Sequence, residues 1–226
     1  MNKTKIEWVR NADGTQGYSW NPIKGLCPVG CWYCYARKIY QRFKMDPFPW
    51  VDIAELNEMV HTRRTSKRVF VCSTFELFHP SLDVHWRNLI FDVINRRQDL
   101  TFIILTKMPE QIDRPMPPNV WLGISLTGEK SDEYDHMKGL VAADALTKFV
   151  SFEPLLHGFD VWELFDEYIP DWLIVGRLTG YGTARDIPRK AIQDIVDFAA
   201  EEDIPVFLKN NLREIWGAPL IQEFPK

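Results

Sequence analysis

Short apolar runs at recurring intervals are the feature of this 226-residue chain that most restricts its fold. The runs are nearly continuous rather than alternating, and polar or helix-like sequence follows them. They occupy residues 68–73, 101–106, 120–126, 148–152, 171–176 and 204–209. Runs of this kind are typical of strands that are buried on both faces of a parallel sheet.

Helical periodicity lies between several of these runs. Apolar residues at steps of three and four predict helices over 83–97, 131–143, 159–168 and 188–201, and a fifth that starts near Cys34 and runs through Ile39 and Phe43. Alternating strands and helices imply right-handed crossovers. We therefore predict an α/β fold with parallel strands and a single domain over 1–226, in which six or seven strand–helix units curl into a TIM-like barrel or partial barrel, or remain open and doubly wound.

In a barrel of this type the chemistry gathers where the strands end. Polar loop residues are expected at these positions in any protein, so none of them indicates a site by itself. The candidates that follow the apolar runs are Ser73, Thr74, Glu76, Thr106, Lys107, Ser125, Thr127, Glu153, Arg177, Thr179, Lys209, Asn210 and Asn211.

Composition excludes several classes of protein. A chain that is 46% hydrophobic and 26% charged is typical of a globular domain and not of a disordered one. The first residues lack the apolar stretch of a signal peptide, and no apolar run reaches the roughly 18 residues of a membrane span. These features predict a cytoplasmic protein without a membrane partner.

The net charge of −4 does not provide the basic field that phosphate backbones require. The local exception is the basic stretch 61–68, which contains Arg63, Arg64, Lys67 and Arg68. A solvated helix end is the favoured interpretation of this stretch, and a phosphate-contacting edge is the alternative.

Three of the chain's four cysteines, Cys27, Cys31 and Cys34, form a C-x3-C-x2-C motif. In a reducing compartment such a cluster binds metal or performs redox chemistry more often than it forms disulfides. Structural zinc requires a fourth ligand, which His61 or His79 would have to supply. An iron–sulfur cluster fits better, because thiolates are its usual ligands and three of them leave one iron open for another molecule. Cys72 lies within a predicted strand and is interpreted as a core residue.

The motif Cys27-Pro-Val-Gly-Cys31-Trp-Tyr33-Cys34 resembles the signature of the radical S-adenosylmethionine superfamily. The resemblance implies a partial (βα)6 barrel and a 4Fe-4S cluster held by the three cysteines. It also implies that S-adenosylmethionine binds the fourth iron and that Tyr33 packs near this cofactor. An external one-electron reductant, flavodoxin- or ferredoxin-like, would drive formation of a 5′-deoxyadenosyl radical that abstracts hydrogen from a substrate.

A closer resemblance covers most of the chain. The stretches STFELFHP (73–80), ILTKMPE (104–110), NVWLGISL (119–126), FVSFEPLL (149–156) and DWLIVG (171–176) resemble, in order, a phage-borne family of unassigned activity. That family is similar in pattern to spore photoproduct lyase. The chain departs from it at 176–180, where Gly-Arg-Leu-Thr-Gly stands in place of Gly-Gly-Glu-Ser-Gly, and it has a shorter spacer between the first two cysteines.

The likeness to spore photoproduct lyase implies roles for individual residues. Ser73 would bind the amino group of the cofactor, Lys107 its carboxylate and Ser125 its ribose hydroxyls. Ser73-Thr74-Phe75-Glu76 stands where many superfamily members carry a Gly-Gly-Glu stretch, so Thr74 and Glu76 are further cofactor-site candidates. Glu153 would serve the cofactor or the substrate, or would only cap its loop.

The substrate implied by this likeness is a nucleotide or DNA. Arg177, Arg185 and the basic stretch 61–68 are the candidate phosphate ligands. The alternative function is non-catalytic: a binding or scaffold protein whose thiols hold zinc, or a cluster that no longer cleaves the cofactor.

Overall fold

The computed structural model describes residues 1–129, 133–183, 185–217 and 219–225. The first two residues of the helix predicted over 131–143 therefore lie outside the described residues. The strands are β1 (Asn2–Lys3), β2 (Tyr18–Trp20), β3 (Ile23–Lys24), β4 (Trp50–Val51), β5 (Arg68–Val71), β6 (Thr101–Thr106), β7 (Val120–Leu126), β8 (Thr147–Leu155), β9 (Trp172–Arg177) and β10 (Val206–Leu208).

Eight of these strands form one sheet in the order β1-β2-β5-β6-β7-β8-β9-β10. All neighbours in this sheet are parallel except β1 and β2. The six strands predicted from the apolar runs are adjacent in space in the order of the chain, so the prediction of a mainly parallel α/β fold is confirmed. Within the described chain no pairing joins β10 back to β1, and the sheet is open.

Helices connect the parallel strands. They are α1 (Tyr35–Phe43), α2 (Ile53–His61), α3 (Val84–Arg96), α4 (Glu133–Ala142), α5 (Val161–Leu164), α6 (Arg189–Glu201) and α7 (Arg213–Trp216). The helix predicted over 159–168 is shorter than expected, because Phe165 at its end leaves the helical conformation. No helix in the described ranges is long and apolar enough to cross a bilayer.

Several elements before β5 were not predicted from the apolar pattern, namely the short strands β1 to β4 and helix α2. β2 extends the sheet by pairing with β5, and it precedes the cysteine motif. Helix α2 is capped by Asp52, whose side chain accepts a hydrogen bond from Glu55 N, and it buries Leu56 and Met59. The stretch 45–50 leads from α1 back to β4, which pairs with β3 just before the cysteines.

The two faces of the sheet carry different cores. One face packs against the helices through a large aliphatic cluster that includes Ile90, Leu122 and Leu173. The other face carries a smaller and mostly aromatic cluster that includes Trp8 and Trp172. Full burial of each large apolar side chain stabilises the fold by about 1.5–3 kcal/mol, so this second cluster stabilises the face of the sheet opposite to the aliphatic cluster.

Candidate functional site

The position of the site follows from the alternation of side chains along the strands. On β8, Phe149 belongs to the aromatic cluster, and Glu153, four residues later, projects from the same face. Lys209 follows Phe207 by two residues, just past the end of β10, and also lies on this face. The polar residues after the strands therefore lie above the aromatic cluster, which forms a dry base beneath them.

A cavity of about 610 Å³ lies at this end of the sheet. All the cofactor-site and metal-site residues predicted from the sequence line it: Cys27, Cys31, Tyr33, Cys34, Ser73, Thr74, Glu76, Lys107, Ser125 and Glu153. Arg177, Thr179 and Lys209 line it as well. The remaining strand-end candidates, Thr106, Thr127, Asn210 and Asn211, do not belong to its lining.

The cysteine loop is held between β3 and α1. Gly25 has φ of +99°, and a Cβ at this position would lie 2.6 Å from the carbonyl oxygen of Phe48, so glycine is required where the loop begins. Cys34 N donates to the carbonyl oxygen of Cys31 (3.1 Å) as the chain enters α1. Arg37 Nη2 donates to the carbonyl oxygen of Cys27 (3.2 Å), which ties the loop to that helix.

All four cysteines are free thiols. Burial raises the pKa of Cys27 above its ordinary value. Cys72 is 5% exposed, as expected for a core residue, and burial raises its pKa to about 12, although it also borders the cavity. A thiol with a raised pKa reacts and binds metal less readily at neutral pH, so binding of a metal centre at Cys27 would have to displace its proton.

Within the described residues, no group of three or more Cys, His, Asp or Glu side chains is arranged to hold a metal ion. His61 and His79, the candidate fourth zinc ligands, do not line the cavity with the cysteines. A 4Fe-4S cluster binds each thiolate at a different iron, so its donor set is three thiols around a shared space. Cys27, Cys31 and Cys34 are half-buried and line one cavity, so thiols of the required type are present, although in the described residues they are not arranged as a metal-binding group.

Lys107 and Ser125 form another part of the cavity lining. Lys107 Nζ donates to Ser125 Oγ (2.5 Å), and Ser125 Oγ donates to the carbonyl oxygen of Glu153 (3.2 Å). Lys107 Nζ also lies 5.7 Å from the ring centroid of Tyr33. No described carboxylate lies within ion-pair distance of Lys107 Nζ, which leaves a partly buried cation with unused donors in the cavity.

Glu76 supports the part of the cavity lining that contains Lys107. Its carboxylate accepts from Thr106 Oγ1 (2.6 Å), from Lys107 N (2.8 Å) and from Phe78 N (3.2 Å). Burial raises the pKa of Glu76, and the three hydrogen bonds act in the opposite direction. Because these bonds engage both oxygens, the structure makes Glu76 a positioning residue for Lys107.

Glu153 is engaged in a second polar cluster. Its carboxylate accepts from Lys209 Nζ and from Trp8 Nε1 (3.3 Å). Gly176 leaves room for this pair, since a Cβ there would lie 2.9 Å from Lys209 Cδ and 3.2 Å from Glu153 Cγ. The sequence analysis did not single out Trp8 or Gly176, because their roles depend on contacts between distant segments.

The remaining predicted cofactor residues border the cysteine loop. Ser73 Oγ donates to Asn21 Oδ1 (3.0 Å). The pKa of Tyr33 is raised, first by burial and then by its proximity to the Cys31 thiol. Trp32 packs edge-on against the Tyr33 ring, with centroids 5.4 Å apart. Thr74 lines the cavity without a recorded side-chain hydrogen bond in the described chain.

The loop after β9 reaches over to the cysteine loop. Tyr181 OH donates to the carbonyl oxygen of Trp32 (3.0 Å), and the two rings lie edge to face at 5.1 Å. Arg185 stacks on the Trp32 ring at 4.5 Å, and Lys38 lies 3.8 Å from the centroid of Tyr181. These aromatic and cationic contacts tie the loop after β9 to the cysteine loop, and of these four residues only Lys38 lines the cavity. The sequence analysis named Arg185 as a candidate phosphate ligand but did not predict these contacts.

The candidate phosphate ligands are mostly engaged elsewhere. Arg177 forms ion pairs with Asp186 and, at 3.1 Å, with Glu214. In the basic stretch 61–68, Lys67 pairs with Asp13 (2.9 Å), and Arg68 stacks on the rings of Trp121 and Phe224 at 4.6 Å each. The stretch follows the end of α2, in agreement with the favoured interpretation of a helix end and loop.

Comparison with known proteins gives one match. The family described as "Protein of unknown function (DUF5131)" matches residues 3–218. No curated protein and no solved structure matches the chain. Because the match covers nearly the whole sequence, the chain belongs to the DUF5131 family.

Proposed function

We propose that this chain is a radical S-adenosylmethionine enzyme, in which Cys27, Cys31 and Cys34 hold a 4Fe-4S cluster and the adjoining cavity binds S-adenosylmethionine. On this proposal the open sheet is a partial (βα)6-type barrel with the cofactor at the carboxyl ends of its strands. The observation that carries the proposal is that one cavity joins three free thiols to a lysine without a described carboxylate partner.

Lys107 has the chemistry to bind the carboxylate of S-adenosylmethionine. Its ammonium group has three donors, and Ser125 takes one of them (2.5 Å). Glu76 fixes the backbone of Lys107 through the hydrogen bond to its N–H (2.8 Å), so the side chain starts from a defined position. Pairing a cation with an anion in a cavity of restricted water access strengthens their attraction.

The hydroxyl groups of the cavity suit the other polar parts of the same ligand. Ser73 is held by Asn21 (3.0 Å) and keeps acceptor capacity for the amino group. Ser125 lies beside Lys107, where it would bind ribose hydroxyls. Tyr33, which lines the cavity, would exclude water from the bound cofactor.

When bound, the cluster and S-adenosylmethionine supply a one-electron cleavage that yields a carbon radical capable of removing hydrogen from a substrate. The protein provides position and a protected cavity. The proposal requires an external one-electron reductant, flavodoxin- or ferredoxin-like. It is also consistent with a cytoplasmic location, where thiols remain reduced.

Anaerobic purification followed by iron, sulfide and zinc analysis tests the proposal. We expect brown protein with the broad visible absorption of a thiolate-ligated cluster. Addition of dithionite and S-adenosylmethionine should then release methionine and 5′-deoxyadenosine. Colourless protein that contains zinc would instead support the scaffold function.

Cysteine variants test the ligand assignment. Cys31→Ala should lose the iron and the cleavage activity, because a cluster ligand is removed. Cys72→Ala is the matched control and should keep its iron, since Cys72 is a buried core residue. Unchanged cleavage by Cys31→Ala would contradict the assignment.

A further inference from the structure

The outer face of α1 carries exposed apolar side chains beside two cations. Tyr35, Lys38, Ile39, Arg42 and Phe43 recur at steps of three and four, so they form one stripe along the helix. Tyr35 is 55% exposed, Ile39 42% and Phe43 65%. An apolar stripe on a helix normally faces a core, whereas here the buried side of α1 is represented by Ala36. We call these five residues the α1 stripe.

The α1 stripe starts at the cavity. Tyr35 and Lys38 belong to the cavity lining, while Arg42 and Phe43 lie at the far end of the helix. At about 1.5 Å per residue, the eight steps from Tyr35 to Phe43 span about 12 Å. The stripe therefore extends from the exposed C-terminal end of α1 to the edge of the cavity proposed as the active site.

The surroundings of the stripe are basic although the chain is acidic. Residues 25–45 contain four Lys or Arg residues and no Asp or Glu, against a net charge of −4 for the whole protein. Within the described residues, no carboxylate lies within ion-pair distance of Lys38, Arg42 or Lys44. The local field therefore favours an anionic partner.

We propose that the α1 stripe binds single-stranded nucleic acid and leads a nucleotide of that strand into the cavity. The inference rests on the proposed function, because it names the substrate class of the same cavity. Aromatic rings that stack bases, interleaved with cations that contact phosphates, are the features by which proteins hold single strands. A single narrow stripe on an acidic protein does not offer the broad basic surface that duplex binding uses.

The arrangement of the stripe places rings and cations side by side. At about 3.6 residues per turn, Lys38 and Arg42 form one row along α1, and Tyr35, Ile39 and Phe43 form the next row. Bases stacked on the rings would therefore keep their phosphates within reach of the two cations.

Fluorescence anisotropy with a labelled oligothymidylate, an oligouridylate and a duplex of equal length tests the inference. We expect single strands to bind more tightly than the duplex, and the two single-strand probes distinguish DNA from RNA. Phe43→Ala should weaken binding roughly tenfold through lost stacking. Arg42→Gln should reduce the slope of log affinity against log salt by about 0.7, the value for one lost phosphate contact on a single strand.

Matched controls use exposed residues away from α1. Lys190→Gln on α6 and Trp162→Ala on α5 should leave the affinity within twofold of the wild type, since Trp162 is 45% exposed and the Lys190 side chain is 83% exposed. Stripe variants that bind oligonucleotides no more weakly than these controls would overturn the inference. Preferential binding to vesicles of anionic phospholipid, lost in the stripe variants, would overturn it in favour of a membrane surface.

Iron content is measured on the same samples. Arg42 and Phe43 do not line the cavity, so their variants should keep the iron content of the wild type. Oligonucleotide binding by protein that holds no cluster would support nucleic-acid binding by the α1 stripe and would contradict the proposed function. Cluster-containing protein that binds no oligonucleotide would overturn the inference that the α1 stripe binds nucleic acid, and would leave the proposed function standing.

Discussion

At the scale of single residues, the cavity lining separates residues that support the site from those that are free to bind. Glu76 uses both carboxylate oxygens within the protein, and Glu153 is paired with Lys209. Lys107 keeps two donors after its bond to Ser125. The ligand-binding capacity therefore belongs chiefly to the lysine and the thiols.

The first residue-scale prediction concerns Lys107. On the proposed function, Lys107→Gln should lower the affinity for S-adenosylmethionine about tenfold or more, because a hydrogen bond to a charged group contributes about 1.5–3 kcal/mol. Equilibrium binding on cluster-containing protein measures this effect. Lys67→Gln is the control, since Lys67 pairs with Asp13 outside the cavity. Equal affinity in wild type and Lys107→Gln would remove Lys107 from the cofactor site.

The second residue-scale prediction concerns Glu76 and pH. Glu76→Gln should remove the pH dependence that this carboxyl gives to the stability of the fold, because an amide does not titrate. Burial raises the folded-state pKa of Glu76 above its ordinary 4.5. The fold is therefore stabilised by protonation of Glu76; this stabilisation is present below pH 4.5 and is lost as the pH rises through the raised folded-state pKa.

Urea unfolding of wild type and Glu76→Gln over a pH series measures this linkage. The difference in unfolding free energy should be largest in acid and should narrow as pH rises, because the amide does not titrate. A difference that widens with rising pH would show that the hydrogen bonds to the carboxylate outweigh its burial.

At the scale of elements, the strand ends set the geometry of the cavity. β8, β9 and β10 are neighbours in the sheet, so residues at their carboxyl ends meet although they are far apart in sequence. Glu153 and Lys209 come from β8 and the end of β10, and Gly176 of β9 lies between them. The absence of a side chain on the middle strand is what allows the outer two to pair.

Gly176→Ala tests this arrangement. The new Cβ would lie 2.9 Å from Lys209 Cδ, and we expect a loss of about 1–3 kcal/mol in unfolding free energy from overpacking. In a Lys209→Ala background the cost should fall, because the atom that clashes is gone. Gly158→Ala is the control, since its Cβ would meet only Ala191 at 3.4 Å. An equal cost in both backgrounds would refute the steric account.

At the scale of the whole molecule, the sheet is stabilised differently on its two faces. Helices cover one face, and the aromatic cluster fills the other below the cavity. Trp172 lies within this cluster, with ring centroids 5.5 Å from Phe149 and 5.6 Å from Phe224. The cluster thus joins the central strands to the C-terminal segment.

Trp172→Ala should therefore lower the unfolding free energy by about 3–5 kcal/mol, the usual cost of removing a buried aromatic ring. Trp172→Phe provides a milder change if the alanine variant does not fold. Trp162→Ala, at a side chain that is 45% exposed, should cost less than about 1 kcal/mol. Chemical denaturation measures all three, and similar losses at Trp172 and Trp162 would contradict the structural role of the cluster.

The sequence by itself determined the parallel strands, because residues buried on both faces must be apolar throughout, and it placed the candidate residues at the strand ends that follow. It missed β1 to β4, since a strand of two or three residues carries too short a pattern to be distinguished from a loop, and it did not predict helix α2. Only the tertiary structure decided which charged residues at the strand ends are paired within the described chain and which are not. Whether Lys107 stays without a carboxylate while Arg177 gains Asp186 and Glu214 depends on distances between segments that are remote along the chain, and hydrophobic periodicity carries no information about those distances.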